Sequence, residues 1–398
     1  MNHMISPPAP TIDMLARAAA LAPLIEAHAA ETERLGTMPA PVVAALREAE
    51  LFWTMLPREL GGAGCDFLET LDVLEEVSRA DGSTGWSLMA NMTGTALAGA
   101  FCGDAAADRM FGGGRRAITA GMLGPGGKAV EVPGGLRGGG RYSFGSGCAH
   151  ADWFGAGMLV MEDGAPRRLA SGLPEVQICF VPAAQVEILG NWDVAGLSGT
   201  GSYDYALPEQ FVPSSFTVER STVQPRRGGP IFAVGVAGLG CLGHAGVALG
   251  LMKRSLQEIV RIVDSKKRPG QTIAVGEQPI FRREFAVHEA LYQAARAFVV
   301  NVYGDAQTTL IAGGSLGPVQ RARFRQCTTW LHEVGADVVR FCYTRAGSAA
   351  QPKSSVLGRC MRDFGVATQH VFVDPNSMAD AAPAIMTAWR EIGARHAG

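Results

Sequence analysis

A serine between two glycines, in Arg141-Tyr-Ser-Phe-Gly-Ser-Gly-Cys-Ala-His-Ala-Asp-Trp153, sets a hydroxyl beside backbone that carries no bulk. A flat ligand can lie against such a turn, and Ser146 can donate or accept a hydrogen bond there, although Gly-Ser-Gly often serves only as a turn. Gly147 completes the turn. A second supply of hydroxyls follows in Gly196-Leu-Ser-Gly-Thr-Gly-Ser-Tyr-Asp204, where Ser198, Thr200 and Ser202 alternate with glycine and read as ligand-facing donors on a strand. His370 closes the run Leu357-Gly-Arg-Cys-Met-Arg-Asp-Phe-Gly-Val-Ala-Thr-Gln-His370. Helical spacing puts Arg359, Asp363 and His370 on one face, with Asp363 roughly 10 Å from the histidine. In a pocket, an imidazole titrating near neutral pH suits proton transfer to or from a phenol-like group; outside one, it is a satisfied structural residue. Trp86 follows the polar turn Asp81-Gly-Ser-Thr-Gly and enters an apolar helix, either as core or as an aromatic pocket wall.

Two tempting motifs fail on context. Gly238-Leu-Gly-Cys-Leu-Gly243 matches the dinucleotide fingerprint, which needs a following strand ending in an acid, but an uninterrupted helical pattern comes next. Gly313-Gly-Ser-Leu-Gly317 matches a nucleophile elbow, yet it falls between two helical stretches with no parallel sheet to hold it.

These residues need elements to position them, and 398 residues are enough for two or three domains. Residues 1–116 read as helical, with segments over Ile12–Glu33, Pro41–Glu50 and Phe67–Arg79. Residues 117–222 are Gly-dense with short strand-like runs at Val176–Val181 and Gln185–Leu189, and read as an antiparallel β domain. Residues 223–398 read as a four-helix bundle over Gly250–Lys267, Pro279–Gly304, Gly317–Arg345 and Ser354–Val373. The stretch Pro230–Met252 is long enough to span a membrane and carries only a titratable His244. Its glycines at 235, 238, 240, 243, 246 and 250 favour a tightly packed buried helix. The 35 basic and 37 acidic residues nearly balance, which points away from nucleic acid and from a membrane surface. Eight scattered cysteines without a Cys-x-x-Cys pair fit a reducing cytoplasm and argue against a zinc site; no signal-peptide pattern opens the chain.

The order of helical domain, β domain and helical bundle resembles the acyl-CoA dehydrogenase fold. The motifs Leu56-Pro-Arg-Glu-Leu-Gly-Gly62, Asp81–Trp86, Phe144–Trp153, Gly196–Asp204 with Phe211-Val-Pro213, Arg345-Ala-Gly-Ser348, and Arg362-Asp363 through His370 resemble its flavin-dependent monooxygenases, the oxygenase components of two-component systems. The resemblance implies reduced flavin (FMNH2 or FADH2) and molecular oxygen, a C4a-hydroperoxyflavin shielded from water, and an aromatic or heteroaromatic substrate. It implies that Ser146 meets the flavin and that His370 faces the substrate to assist its deprotonation or orientation. Trp86 would form a pocket wall, and Leu123, Gly124, Gly147, Thr200 and Ser202 would border the flavin. It further implies a separate NAD(P)H:flavin reductase and a homotetramer in which Gly347 and Ser348 reach a neighbour's flavin. Gly94, Tyr142 and Phe372 depart from the phenol-hydroxylating pattern, which leaves indole, a polycyclic arene, or a sulfur or nitrogen centre open as substrates. The alternatives are an acyl-CoA dehydrogenase, which needs a carboxylate base that the stretch Asp363–His370 does not supply with a Glu, and a silent flavin-binding protein.

Overall fold

The structure is a computed structural model, and it describes residues 13–396. The start of the first expected helix, Ile12, lies outside the described residues. Five helices open the chain: α1 Met14–Leu35, α2 Ala40–Glu48, α3 Phe67–Ala80, α4 Gly82–Phe101 and α5 Asp104–Phe111. Their ends follow local chemistry. The side chain of Asp13 caps α1, and Asp66 with Glu69 makes a reciprocal capping box on α3. Asp81 caps α4 through Thr84, accepting from its backbone N and its hydroxyl at 2.8 Å each. That cap directs the apolar α4, and Trp86 with it, into the interior.

The strands are β1 Thr119–Val132, β2 Gly135–Gly145, β3 Trp153–Glu162, β4 Ala165–Pro166, β5 Val176–Pro182, β6 Glu187–Ile188, β7 Tyr203–Pro213 and β8 Thr217–Glu219. They form one sheet in the order β6-β7-β2-β1-β3-β5-β8, with β4 on β3. The sheet is mixed where the sequence suggested antiparallel pairing throughout, because β1 and β3 run parallel. The physical reason is a crossover. β2 pairs with β1 as a hairpin and with β7 on its far edge, so the chain leaves through the Gly-Ser-Gly turn and places β3 on the other side of β1.

Five helices follow: α6 Gly235–Val263, α7 Pro279–Ile311, α8 Pro318–Ala346, α9 Val356–Ala367 and α10 Asn376–His396. The glycine-rich stretch and the amphipathic stretch after it are one helix, α6, buried along its first half. Its glycines are contact points: a Cβ on Gly246 would stand 2.6 Å from Leu74 Cβ, and one on Gly250 would stand 2.5 Å from the Glu75 carbonyl on α3. This helix passes a composition test for a membrane span, yet its apolar window is mostly buried inside the protein. The expected helix over Ser354–Val373 is shorter than the sequence suggested. α9 stops at Ala367, where the Thr368 hydroxyl donates back to the Gly365 carbonyl at 2.7 Å; a short turn, Val371–Val373, follows, and Pro375 keeps Asp374 out of the helical region before α10 begins.

Candidate active site

A cavity of about 490 Å³ opens between α4, α6, the segment after α9 and the pocket-facing end of the sheet. Its volume lies in the range of small-molecule sites. Trp86, Leu123, Gly124, Ser146, Thr200, Ser202 and His370 all line it, so seven of the expected site residues converge. Gly147 does not. It shapes the turn in a left-handed conformation, φ +68°, and a Cβ there would strike the Asn91 side chain at 2.3 Å. Gly347 and Ser348 do not line the cavity either; they are exposed in a short turn after α8.

One wall is made of backbone and hydroxyls. The β1–β3 register slips between Met122 and Pro125, which takes Leu123 and Gly124 out of the ladder at the cavity. A Cβ on Gly124 would meet only Met122, at 3.5 Å, so the missing side chain leaves a flat face open to a planar ligand. Phe144 adopts a left-handed conformation, φ 66°, that turns the chain into Gly145-Ser146. The hydroxyls then form a line: Trp86 Nε1 donates to Ser146 Oγ at 3.1 Å, Ser146 Oγ and Ser202 Oγ lie 2.7 Å apart, and Ser202 Oγ and Thr200 Oγ1 lie 2.7 Å apart. Thr200 Oγ1 donates to the Leu197 carbonyl at 2.8 Å. These hydroxyls do not sit on a strand, as their alternation with glycine suggested. Thr200 sits on a short turn, Ser198–Thr200, bracketed by left-handed Leu197 and Gly201; Ser202 follows that turn, and β7 begins only at Tyr203.

The other wall is aromatic. The His370 ring lies 4.0 Å from His244 and 6.0 Å from Trp86, and Trp86 meets His244 edge-on at 4.8 Å. His370 is off the helix. It caps the turn Val371–Val373, where its Nδ1 accepts from the Phe372 backbone N at 3.2 Å, which leaves the ring proton on Nε2. The shared helical face with Arg359 and Asp363 therefore does not exist. Burial, then the nearby His332, pushes His370 down to about 4; burial, then His370 and His332, takes His244 well below its ordinary value. Both rings are neutral at neutral pH.

Asp363 acts elsewhere. Its Oδ1 accepts from Leu197 N at 2.6 Å, holding the turn that ends the hydroxyl line. Burial, then the neighbouring Asp81, raises Asp363 to about 7. Two titratable cavity residues were missed in the sequence. His244 stood in an apolar run with no polar neighbour to mark it. Arg220 lines the cavity with its Nε unpartnered among the described residues, and burial, then Arg325, lowers its pKa. A lone arginine at a strand end carries no motif.

Known proteins resemble this chain in sequence and in fold. Residues 14–109 match the family model for the N-terminal domain of acyl-CoA dehydrogenase and residues 242–375 that for its C-terminal domain, together more than half of the chain. An indole-3-acetate monooxygenase of Pseudomonas putida is 27% identical over 87% of this chain and 87% of its own. The oxygenase component of an FADH(2)-dependent resorcinol hydroxylase from Rhizobium sp. is 33% identical over 54% of this chain and 52% of its own. The crystal structure of a 3-HSA hydroxylase from Rhodococcus sp. RHA1 superposes with a TM-score of 0.85 at 23% identity, covering 96% of this chain and 97% of that one.

The fold is that of the acyl-CoA dehydrogenases. Within that superfamily the chain belongs to the flavin-dependent monooxygenases, as the oxygenase component of a two-component system that uses reduced flavin.

Proposed function

We propose that this oxygenase hydroxylates a flat aromatic or heteroaromatic molecule bearing an acidic group, with flavin and substrate sharing the single cavity described above. The observation that carries the reading is the pairing of a backbone-and-hydroxyl wall with a histidine wall, around a space that no Asp or Glu lines among the described residues. An acyl-CoA dehydrogenase would need such a carboxylate to remove an α-proton. When bound, reduced flavin supplies the electrons that activate dioxygen, one atom of which enters the substrate while the other leaves as water.

The chain's own residues do the rest. Leu123 and Gly124 present flat backbone, and Ser146, Thr200 and Ser202 present oxygens. Trp86 closes the space between the two walls and keeps water out. His370, neutral with its proton on Nε2, donates to a heteroatom of the substrate and orients the ring; in this tautomer it is a donor before it is a base. Arg220 is the cation that an acidic substituent would meet, in a cavity otherwise mostly apolar.

A separate NAD(P)H:flavin reductase supplies the reduced flavin. We read the protein as cytoplasmic, with eight unpaired buried cysteines in support, and as a homotetramer. Met386, Trp389 and Ile392, exposed at helical spacing on α10, support association of copies, and exposed Gly347 and Ser348 would reach a neighbour's flavin. Domain limits at 116/117 and 222/223 fall in the connections before β1 and before α6.

The test is product formation with chemically reduced FMN or FAD, oxygen, and matched arenes with and without a carboxylate, such as indole-3-acetate and 3-methylindole. Hydroxylated product is expected, with kcat/KM about tenfold or more in favour of the acid and that preference lost in Arg220→Gln. Hydrogen peroxide as the sole oxygen product with every arene would overturn the monooxygenase reading. Equal turnover of the two arenes would overturn the acidic-substrate part alone.

A further inference from the structure

Two sulfur-bearing residues line the cavity among the described residues, Met89 and Met122. Met89 is buried and packs its side chain on α6, where a Cβ on Gly243 would stand 2.4 Å from its Cγ and 3.0 Å from its Sδ. Met122 is half-buried and lies on the open face. A Cβ added at the cavity-lining Gly124 would meet Met122 Sδ at 3.5 Å and its Cγ at 4.0 Å, so this sulfur lies along the flat glycine face. The main chain holds it there. Met122 N donates to the Tyr205 hydroxyl at 2.8 Å, that hydroxyl donates on to the Gly155 carbonyl at 2.8 Å, and Met122 is the last paired residue before β1 slips out of register with β3. Cysteine offers no competing sulfur. All eight cysteines are buried, none lines the cavity among the described residues, and burial pushes Cys148, next to the Gly-Ser-Gly turn, up to about 11, which keeps it a thiol.

We propose that Met122 is a self-modification site, oxidised to the sulfoxide by hydrogen peroxide that the oxygenase makes in its own cavity when no arene takes the oxygen atom. The inference rests on the reading of this cavity as the place where dioxygen is activated. Without an arene, reduced flavin and dioxygen end as oxidised flavin and hydrogen peroxide, two electrons and two protons passing to the oxygen. The Met122 sulfur then gives an electron pair to one peroxide oxygen. An S–O bond forms, the O–O bond breaks, and the other oxygen leaves as water with both protons of the peroxide. The thioether is oxidised by two electrons and the peroxide reduced by two. A flexible apolar side chain becomes a polar one, with its new oxygen on the face that Gly124 leaves flat, and function is lost as sulfoxide accumulates.

The experiment is repeated aerobic reoxidation of chemically reduced FMN or FAD by the full-length protein without an arene, with catalase present to remove peroxide from bulk solution, followed by peptide mass spectrometry. Met386, exposed on α10, reports oxidation from the bulk. Met122 is expected to gain one oxygen about tenfold faster than Met386, because oxidant formed beside the sulfur acts at a high effective concentration. The protein's effect on the rate of flavin reoxidation should decay over these cycles in the unsubstituted chain and in Met386→Leu. It should persist in Met122→Leu, which keeps the bulk and removes the sulfur. If the protein alters flavin reoxidation while Met122 is oxidised no faster than Met386, the proposal alone is overturned, and equal decay in all three chains overturns it as well. Flavin reoxidation at the rate seen without protein would instead overturn the reading of the cavity, and the proposal with it.

Discussion

Ser146 stands on the hydroxyl wall and His370 on the histidine wall, so their losses should damage different steps. In Ser146→Ala the share of oxygen released as hydrogen peroxide should rise, because the bound flavin loses the oxygen that meets it; a peroxide assay against product yield reads this. In His370→Ala, reoxidation of bound flavin should continue at its usual rate while product formation falls roughly tenfold or more. Equal loss of both steps in both variants would remove the division of labour. His244 gives a third test. Its Nδ1 is buried without a partner among the described residues, an arrangement that costs about 1–3 kcal/mol. His244→Leu should therefore raise the thermal midpoint and lower kcat/KM; a lower midpoint would show that the ring is held chiefly for packing. Ser146, Trp86 and His370 were legible in the sequence because each sits in a local motif. His244 and Arg220 were not, because only the packing of α6 and the end of β8 against the same cavity gives them a neighbour.

Among the elements, α6 shows how much a composition leaves open. An uncharged glycine-rich run reads the same for a membrane span and for a close-packed core helix, and the approach of α3 and α4 decides it. The substitution that tests this is Gly250→Ala, whose Cβ would lie 2.5 Å from the Glu75 carbonyl. Backbone cannot yield as a side chain can, so the change should cost about 1–3 kcal/mol in denaturant unfolding. Gly243→Ala should cost less, since its Cβ meets the flexible Met89 side chain at 2.4 Å. Equal costs would mean that the two helices shift apart as rigid bodies. Helix periodicity located α3 and α8 nearly to their ends, but it ended α7 at Gly304 where the helix runs to Ile311, and it carried α9 too far. Nothing in the spacing of Arg359, Asp363 and His370 shows that Thr368 closes the last turn, and only that closure frees His370 to enter the cavity. The hydroxyl turn was misread for a related reason, since left-handed backbone at Leu197 turns what alternation alone would call a strand.

Over the whole molecule, the buried titratable groups set a pH response with two opposing parts. His332 and His370 are held down near 4 and His244 lower still, by burial first, so the folded chain binds fewer protons than the unfolded chain between about 4 and 6.5. Stability should fall as the pH drops through that window. Asp363, raised to about 7 by burial, works the other way: its protonated form is favoured in the folded chain, and stability is lost as the pH climbs from about 4 to 7. Unfolding free energy should therefore rise with pH up to about 6.5 on balance, and more steeply in Asp363→Asn, as read by denaturant titration at fixed temperature. A shallower rise in that variant would show that Asp363 is ionised in the folded protein. The contact of Asp363 with Leu197 also bears on how this scaffold can be recombined. The turn that ends the hydroxyl line belongs to the sheet by sequence, yet its support comes from a helix more than 150 residues later, at position 363 against 197. A chimera that exchanges the sheet alone would inherit the hydroxyls without their anchor. The heritable unit of this site is the turn and α9 together, two distant segments that must travel as a pair.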